Sequence, residues 1–567
     1  MCHPMLVEQE GSTGLPRRFR VAASQPPRPS LLILAWLGVV VLASLALHLW
    51  GIAGDLPYEQ YVDEPIFIVP AVRMLHERTL DPQWFGNPGS TLIYPAAVLL
   101  ELWFQLAKHV PFASHPVGGI AATFHADPTP FYMIGRLISA AYGVGSVVAT
   151  WLVGRRVVGD VGGIMAAAFL AATPIAVEFG QIVRTDTAGT FFAVLSVWLI
   201  LRAVDRKRGI DWALAAIAIG LATSTRYFFV TLAVPYAVAA WLTWRAHREA
   251  AAGADVAPNP ALVALRAAVL APVAFALTSP FALIDFRRTL ANLRTESRTV
   301  HPGADGLSPM GNLDWYLTSM LPTALGLVAL ALAVLGIFVI LRRNRLAAIV
   351  VLAYFASYVV GISASPLHWD RYVIPMVPVI GILASAAVLA CADTLVRLST
   401  RRLVSPGARA RAVDAAPNGR NLQLVGTVAS GCLMAFLLVP PTLSVAAADR
   451  LKEVPSTRVM ATEWALANLK DAKVVEEPYG TYLAGMNDRF ALVRLSDRPV
   501  DSYRADGFDY LITSSSTWAR FFAEPNRYAK EIAFYQSLPS NGRLVVTFNP
   551  DQDRGGPRID VYDIRSP

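Results

Sequence analysis

The sequence predicts a polytopic α-helical membrane protein of about eleven spans, followed by a small α/β domain. Three observations carry this. Of 567 residues, 54% are hydrophobic and the mean hydropathy is +0.45, which sets the chain apart from soluble proteins of its size. Apolar runs of bilayer length recur between residues 31 and 443,. From residue 446 onward charges and turns return, and no run there is long enough to span.

Composition also excludes functions. The net charge is +8, but Lys and Arg gather in short loops between apolar runs. That is topological charge at a membrane face, and no nucleic-acid partner is expected. The three cysteines, Cys2, Cys391 and Cys432, all fall in segments expected on the cytosolic side or within spans, so no disulfide framework is expected. There is no CxxC or HExxH, and no phosphate-cradling glycine loop follows a predicted strand. Gly143-x-Gly145 lies inside an apolar span and suits helix packing.

Taken in order, residues 1–30 are polar and Pro-rich, with Arg17, Arg18, Arg20 and Arg28, and are expected to form a disordered cytosolic tail. The first span, 31–53, is too long for a removable signal peptide. Residues 54–131 form a first external loop. Its helix Glu64–Arg78 carries Ile66, Val69, Val72 and Leu75 roughly along one face, as a helix lying on the membrane would. The run 91–106 is about one bilayer long but carries Glu101 and Gln105. If it spanned, the basic clusters Arg155-Arg156, Arg206-Lys207-Arg208 and Arg342-Arg343 would fall outside. An interfacial placement puts them inside, and is preferred. The remaining spans are 132–153, 161–181, 187–203, 210–227, 228–244, 262–282, 318–341, 346–363, 372–392 and 423–443. The Arg-rich segment 393–421 is a cytosolic linker, and residues 446–567 lie outside as an α/β domain. Ser456–Leu469 and Pro525–Leu538 are expected as helices there. Its expected strands are Lys473–Glu476, Phe490–Arg494, Tyr510–Ser514, Leu544–Phe548 and Ile559–Ile564.

This topology sorts the polar residues. Asp63, Glu64, Arg184, Asp186, Arg226, Tyr227, His301, Arg371 and Tyr372 all fall at the outer ends of spans. Ionisable groups there are tolerated mainly when they pair or line a cavity. Carboxylates with arginines at the lipid–water boundary suit a lipid phosphate, gripped by guanidinium forks beside a proton-accepting carboxylate. Plainer readings stand beside this one. Asp63 and Asp186 each precede or open a helix and fit simple N-caps. Arg226 fits a snorkelling side chain, and Arg371-Tyr372 an interfacial anchor. His301 fits a solvated loop residue, and no His spacing supports a metal site.

The order of these features resembles a GT-C glycosyltransferase, closest to family 39, which includes protein O-mannosyltransferases and bacterial lipid A aminoarabinose transferases. The matching segments are Asp63-Glu64 after the first span, GRLISAAYGVGSVVATWLVGRRVVG at 135–159 and AATPIAVEFGQIVRTDTAGTFF at 171–192, then GLATSTRYFFV at 220–230 and RYVIPMVPVIGILAS at 371–385. The resemblance implies a polyprenyl-phosphate sugar donor, transfer with inversion to a lipid, glycan or protein acceptor, and a bacterial-type cytoplasmic membrane with the C-terminal domain outside. It implies that Asp63 is the catalytic base, that Glu64 positions it or the acceptor, and that Asp186 is a second acidic residue. Arg226, Arg371 and Tyr372 fall near the donor, with Tyr227 and His301 as further candidates. Many relatives have Lys-Pro where this chain has Asn87-Pro88, so the phosphate contact passes to Arg184, Arg226 or Arg371. No cofactor is expected, although some GT-C relatives use a divalent metal. A transporter of lipid-linked sugars would use a similar basic cavity without cleaving a bond; the paired broken helices that would favour it are not evident.

Overall fold

A computed structural model describes residues 28–58, 61–110, 116–251, 259–301, 307–403, 418–483 and 486–565. Nearly all of the expected tail 1–30, and the middle of the expected linker 393–421, lie outside the described residues. Among those described, nine helices are long and apolar enough to cross a bilayer. The number is ten if Pro309–Leu325 and Leu327–Arg343, bent by 115°, form one span.

The departures from the expected spans have local causes. The run 161–181 is a shorter helix, Asp160–Ala171, and Pro174 starts a separate turn, Pro174–Glu178; proline suits a first helical turn but not an interior. The run 210–227 is the helix Gly209–Thr225, ended by extended backbone at Arg226. The run 318–341 breaks at Gly326, whose φ of +78° costs glycine little,. Ser90–Ala107 passes the length and composition test for a span. Its Thr91 carbonyl accepts from Tyr142 Oη at 2.9 Å, and Trp103 packs on Phe131 at 5.3 Å. It therefore runs back along the Phe131–Tyr142 half of the helix Thr129–Val158 and stops short of the half that ends at Val158.

The two ends of the bundle differ. At one, the basic loops pair with acids: Arg155 with Asp160 at 2.9 Å, Arg156 with Asp205, Arg202 with Asp211 at 2.5 Å, and Arg343 with Asp393 at 2.8 Å. The other end carries the loop after the first span and the C-terminal domain. That domain is fastened there by polar contacts. Trp50 Nε1 donates to Glu453 at 2.6 Å and Ser456 Oγ to Asp55 at 2.9 Å, and on the helix Asn418–Leu451 that leads into the domain Asp449 accepts from Gln181 Nε2 at 3.0 Å.

The domain is a five-stranded sheet in the order β2-β1-β3-β5-β4. Its strands are β1 Val474–Glu476, β2 Phe490–Leu492, β3 Tyr510–Ser514, β4 Arg543–Phe548 and β5 Ile559–Asp563. β1 runs parallel to β2 and β3, and β5 antiparallel to β3 and β4. All five strands lie where the sequence places them. Helix Thr457–Asn468 covers one face, packing Ala461 and Ala465 on Val474, Ile512 and Val561. Tyr503 and Phe534 cover the other, against Val475, Leu511 and Tyr562. Burial on both faces explains why β3 and β5 are buried at every position,.

Glu477 follows β1 and is wholly buried. Tyr535 Oη donates to one of its oxygens and Ser514 N to the other at 2.8 Å. Burial pushes its carboxyl up to about 8, against the opposing pull of those two bonds. The folded value lies above the ordinary 4.5, so the folded domain keeps a proton that the unfolded chain has lost between the two. The stability this gives is complete below about pH 4.5 and is lost as pH rises through about 8. The thermal midpoint of the domain should therefore fall across that window, and Glu477→Gln should flatten the slope. A midpoint in the unsubstituted protein that ignores pH there contradicts this assignment.

Candidate active site

The site is built on a short turn, Tyr61 to Glu64, ahead of the helix Pro65–Glu77, where Pro65 takes the first helical position,. Glu64 is fully buried against Arg136, also fully buried. Arg136 Nε and Nη2 donate to the two carboxylate oxygens at 2.9 and 2.8 Å, and Nη1 donates to the carbonyls of Ile52 and Gly54, both at 2.9 Å. Val183 N donates to Glu64 Oε1 at 3.0 Å. Glu64 therefore faces the protein interior, does not line the cavity, and ties three chain segments together beside Asp63. Nor does Asp63 act as a helix cap. The capping position is Glu64, without a side-chain cap bond.

With Glu64 turned inward, Asp63 faces a cavity and its side chain stays 27% exposed. From Asp63 an alternating chain of charges runs into the protein. Arg184 Nη1 pairs with Asp63, and its Nε lies 3.4 Å from Asp186 Oδ2; Arg226 Nη1 pairs with Asp186 Oδ1. Arg184 occupies the N-cap of the helix Thr185–Arg206 and makes no side-chain cap bond. Asp186 is thus an ion-pair partner in the helix's first turn, where the backbone dipole also favours an anion. It is buried between the two arginines and does not line the cavity. Arg226 is buried, with its guanidinium 4.6 Å from the centre of the Tyr372 ring, so it does not snorkel. Arg371 is 5% exposed and stacks on Trp369 at 4.2 Å, so it is no surface anchor.

Arg371 differs from the other two arginines. It has no carboxylate partner among the described residues, and its Nε has no hydrogen-bond acceptor. Arg226 Nε also lacks one. The cluster therefore holds three guanidinium groups against two carboxylates. Unpaired buried cations are costly, and this surplus suits an anion.

The cavity has a volume of about 240 Å³ and is lined by Asp63, Arg184, Arg226, Arg371 and Tyr372. Tyr227 lines it with its ring, while its hydroxyl donates to Phe85 O at 2.9 Å. His301 lines it edge-on to Trp369 at 4.9 Å. Asn87, in place of the lysine of many relatives, is also in the wall. Sequence reading missed Trp84, Glu296 and Trp369. Glu296 ends the helix Phe286–Glu296, whose Asn292 Oδ1 accepts from Phe85 N at 3.0 Å. The signal for that helix was present, since apolar and charged residues alternate at helical spacing in FRRTLANLRTE. As to a metal, Asp63 and Asp186 are both engaged by guanidinium groups. Among the described residues, no three His, Cys, Asp or Glu side chains gather as ligands.

The architecture is that of a multi-pass membrane protein with a charged cavity at the end that carries its extramembrane domain. Comparison with known proteins bears on the fold. Residues 132–283 match the family described as Dolichyl-phosphate-mannose-protein mannosyltransferase. Oligosaccharyltransferase AglB from Archaeoglobus fulgidus, solved with an inhibitory peptide and a dolichol-phosphate, is similar in structure. The TM-score is 0.51 at 13% identity, over 92% of this chain and 73% of that one. ArnT from Cupriavidus metallidurans, solved with undecaprenyl phosphate, is similar with a TM-score of 0.50 at 14% identity, over 93% of this chain and 98% of that one. No curated protein sequence matches. The fold shared with these structures is the GT-C fold.

Removing one partner of a buried pair leaves the other charge uncompensated, at a cost of about 3–5 kcal/mol. Glu64→Ala should lower the thermal midpoint of the detergent-purified protein accordingly. An unchanged midpoint would show that the Glu64–Arg136 pair does not hold the turn.

Proposed function

We propose that the protein is a membrane glycosyltransferase that takes a sugar from a polyprenyl-phosphate donor and passes it, with inversion, to an acceptor hydroxyl. The observation that carries this reading is Arg371: a buried guanidinium without a carboxylate partner among the described residues, in the same cavity as the exposed carboxylate Asp63. ArnT, of similar fold, was solved with undecaprenyl phosphate, which supports a polyprenyl phosphate as the anion.

In this reading the donor phosphate lies against Arg371 and Arg226, whose spare N–H groups donate to its oxygens. These charge-assisted bonds strengthen as the bond to the sugar breaks and charge builds on the leaving oxygen. The acceptor oxygen attacks the anomeric carbon from the face opposite the phosphate. The carbon–oxygen bond to phosphate breaks, its electron pair leaves with the phosphate, and the acceptor proton passes to Asp63. Arg184 holds Asp63 in place, and Asp186 holds Arg184 and Arg226. The basic loops lie at the opposite end of the bundle, which supports a cytosolic N-terminus and an extracytoplasmic site by the positive-inside rule.

A radiolabelled polyprenyl-phosphate sugar tests the proposal directly. The protein with its acceptor should release free polyprenyl phosphate, which a transporter would not do. Asp63→Asn should slow release by about 10²–10⁴-fold, the scale of general-base catalysis, with undecaprenyl phosphate still bound. Full turnover in that variant removes Asp63 from the mechanism. Arg371→Ala should weaken undecaprenyl-phosphate binding by about 10–100-fold, the scale of a charge-assisted hydrogen bond. Equal affinity would place the phosphate elsewhere.

A further inference from the structure

A second cavity, of about 950 Å³, opens between the first loop and the C-terminal domain. Ligand pockets run to roughly 300–1,000 Å³, so it has room for a sizeable ligand. Val62 and Pro65, which flank the Asp63–Glu64 pair, line it. One end of this groove therefore adjoins the proposed base.

Its lining is aromatic and balanced in charge. Tyr58 from the loop and Tyr482 from the domain stack with centroids 5.0 Å apart and planes within 3°, and Tyr479 is also in the wall. Tyr479 has a φ of +66°, a conformation that bulky residues seldom hold. Its carbonyl accepts from Arg458 Nε at 3.1 Å and from Ser514 Oγ at 2.8 Å, and these bonds fix the turn. Strain maintained at a ring that faces a cavity points to a ring placed for a ligand. Glu476, which accepts from Thr481 Oγ1, and Arg458 supply one charge of each sign. One arginine lines this groove, where four line the neighbouring cavity, and Arg520 stacks on the Tyr479 ring at 4.4 Å.

We propose that this groove binds the acceptor, and that the acceptor is a neutral, hydroxyl-rich glycan. Tyrosine rings cover the C–H faces of sugar rings, and a carboxylate accepts from sugar hydroxyls. A phosphorylated headgroup would meet one lining arginine here, against four in the neighbouring cavity. The assignment rests on the transferase reading, because only a transferase needs an acceptor beside Asp63.

The test uses the full chain in detergent and saturation-transfer NMR with three kinds of probe. These are linear neutral oligosaccharides of hexose or pentose units, a phosphorylated lipid A disaccharide, and a Ser/Thr-containing peptide. A neutral oligosaccharide should bind, and Tyr479→Gly should weaken it by about tenfold, the upper scale of one aromatic contact. Glycine accepts the left-handed backbone, so this variant removes the ring and keeps the turn; retained undecaprenyl-phosphate binding confirms the fold. The proposal is overturned if no neutral probe binds, if the phosphorylated or peptide probe binds in its place, or if Tyr479→Gly binds as tightly as the unsubstituted protein. Failure of the transferase reading shows separately, as absence of polyprenyl phosphate release.

Discussion

The buried pair Glu64–Arg136 is the constraint on which the site depends. In a tight turn, successive side chains diverge, so drawing Glu64 inward turns Asp63 toward the cavity. The same carboxylate accepts from Val183 N, and the next residue is Arg184. One interior anion thus fixes both members of the Asp63–Arg184 pair, although they lie 121 residues apart. Desolvating an ion pair is expensive, and the cost is offset only when the remaining donors and acceptors are also satisfied. Here the other guanidinium face is met by the carbonyls of Ile52 and Gly54, which makes the pair a device for registering loops.

The charges beyond that pair form a graded series. Asp63, Arg184, Asp186 and Arg226 alternate in sign, and each is held by its neighbour. Arg371 closes the series without an anion and rests on aromatic faces instead. Stacking restrains a guanidinium but neutralises little of its charge. A bound anion completes the set, and its donors are already placed before it arrives. Preorganisation of this kind is the usual source of electrostatic catalysis, because no reorientation is needed as charge develops. Asp186 matters most as the counter-charge that lets two arginines sit together in a buried place.

Much of this was legible in the sequence, and the limits have physical causes. Hydropathy finds spans because a bilayer demands unbroken apolar length. It cannot see that Pro174 and Gly326 interrupt such runs locally. Sidedness placed Asp63, Arg184, Asp186, Arg226 and Arg371 at one depth, and the structure brings them together. Sequence could not separate Asp63 from Glu64, since adjacent carboxylates look alike until the partner of one is known. Arg136 lies 72 residues from Glu64, in the second turn of the apolar helix Thr129–Val158, where no neighbouring charge in sequence marks it. That was the missed signal: a lone arginine inside a span is costly enough to imply a buried anion. Trp84, Glu296 and Trp369 were missed because no local pattern sets a cavity-lining residue apart from a surface one.

The C-terminal domain is mechanically part of the same unit. Asp449, at the end of the helix Asn418–Leu451 that leads into it, accepts from Gln181, three residues before Arg184 on the loop that Glu64 anchors through Val183. Ser456 donates to Asp55, which follows the Gly54 carbonyl that Arg136 holds. The domain is therefore fastened directly to the loop before Asp63, and the helix that leads into it to the loop before Arg184. A movement of the domain large enough to open the groove beneath it would pull on both loops, and through them on Asp63 and Arg184. The groove and the charged cavity are joined by these short connections, so whatever seats the domain also bears on the geometry of Asp63 and Arg184.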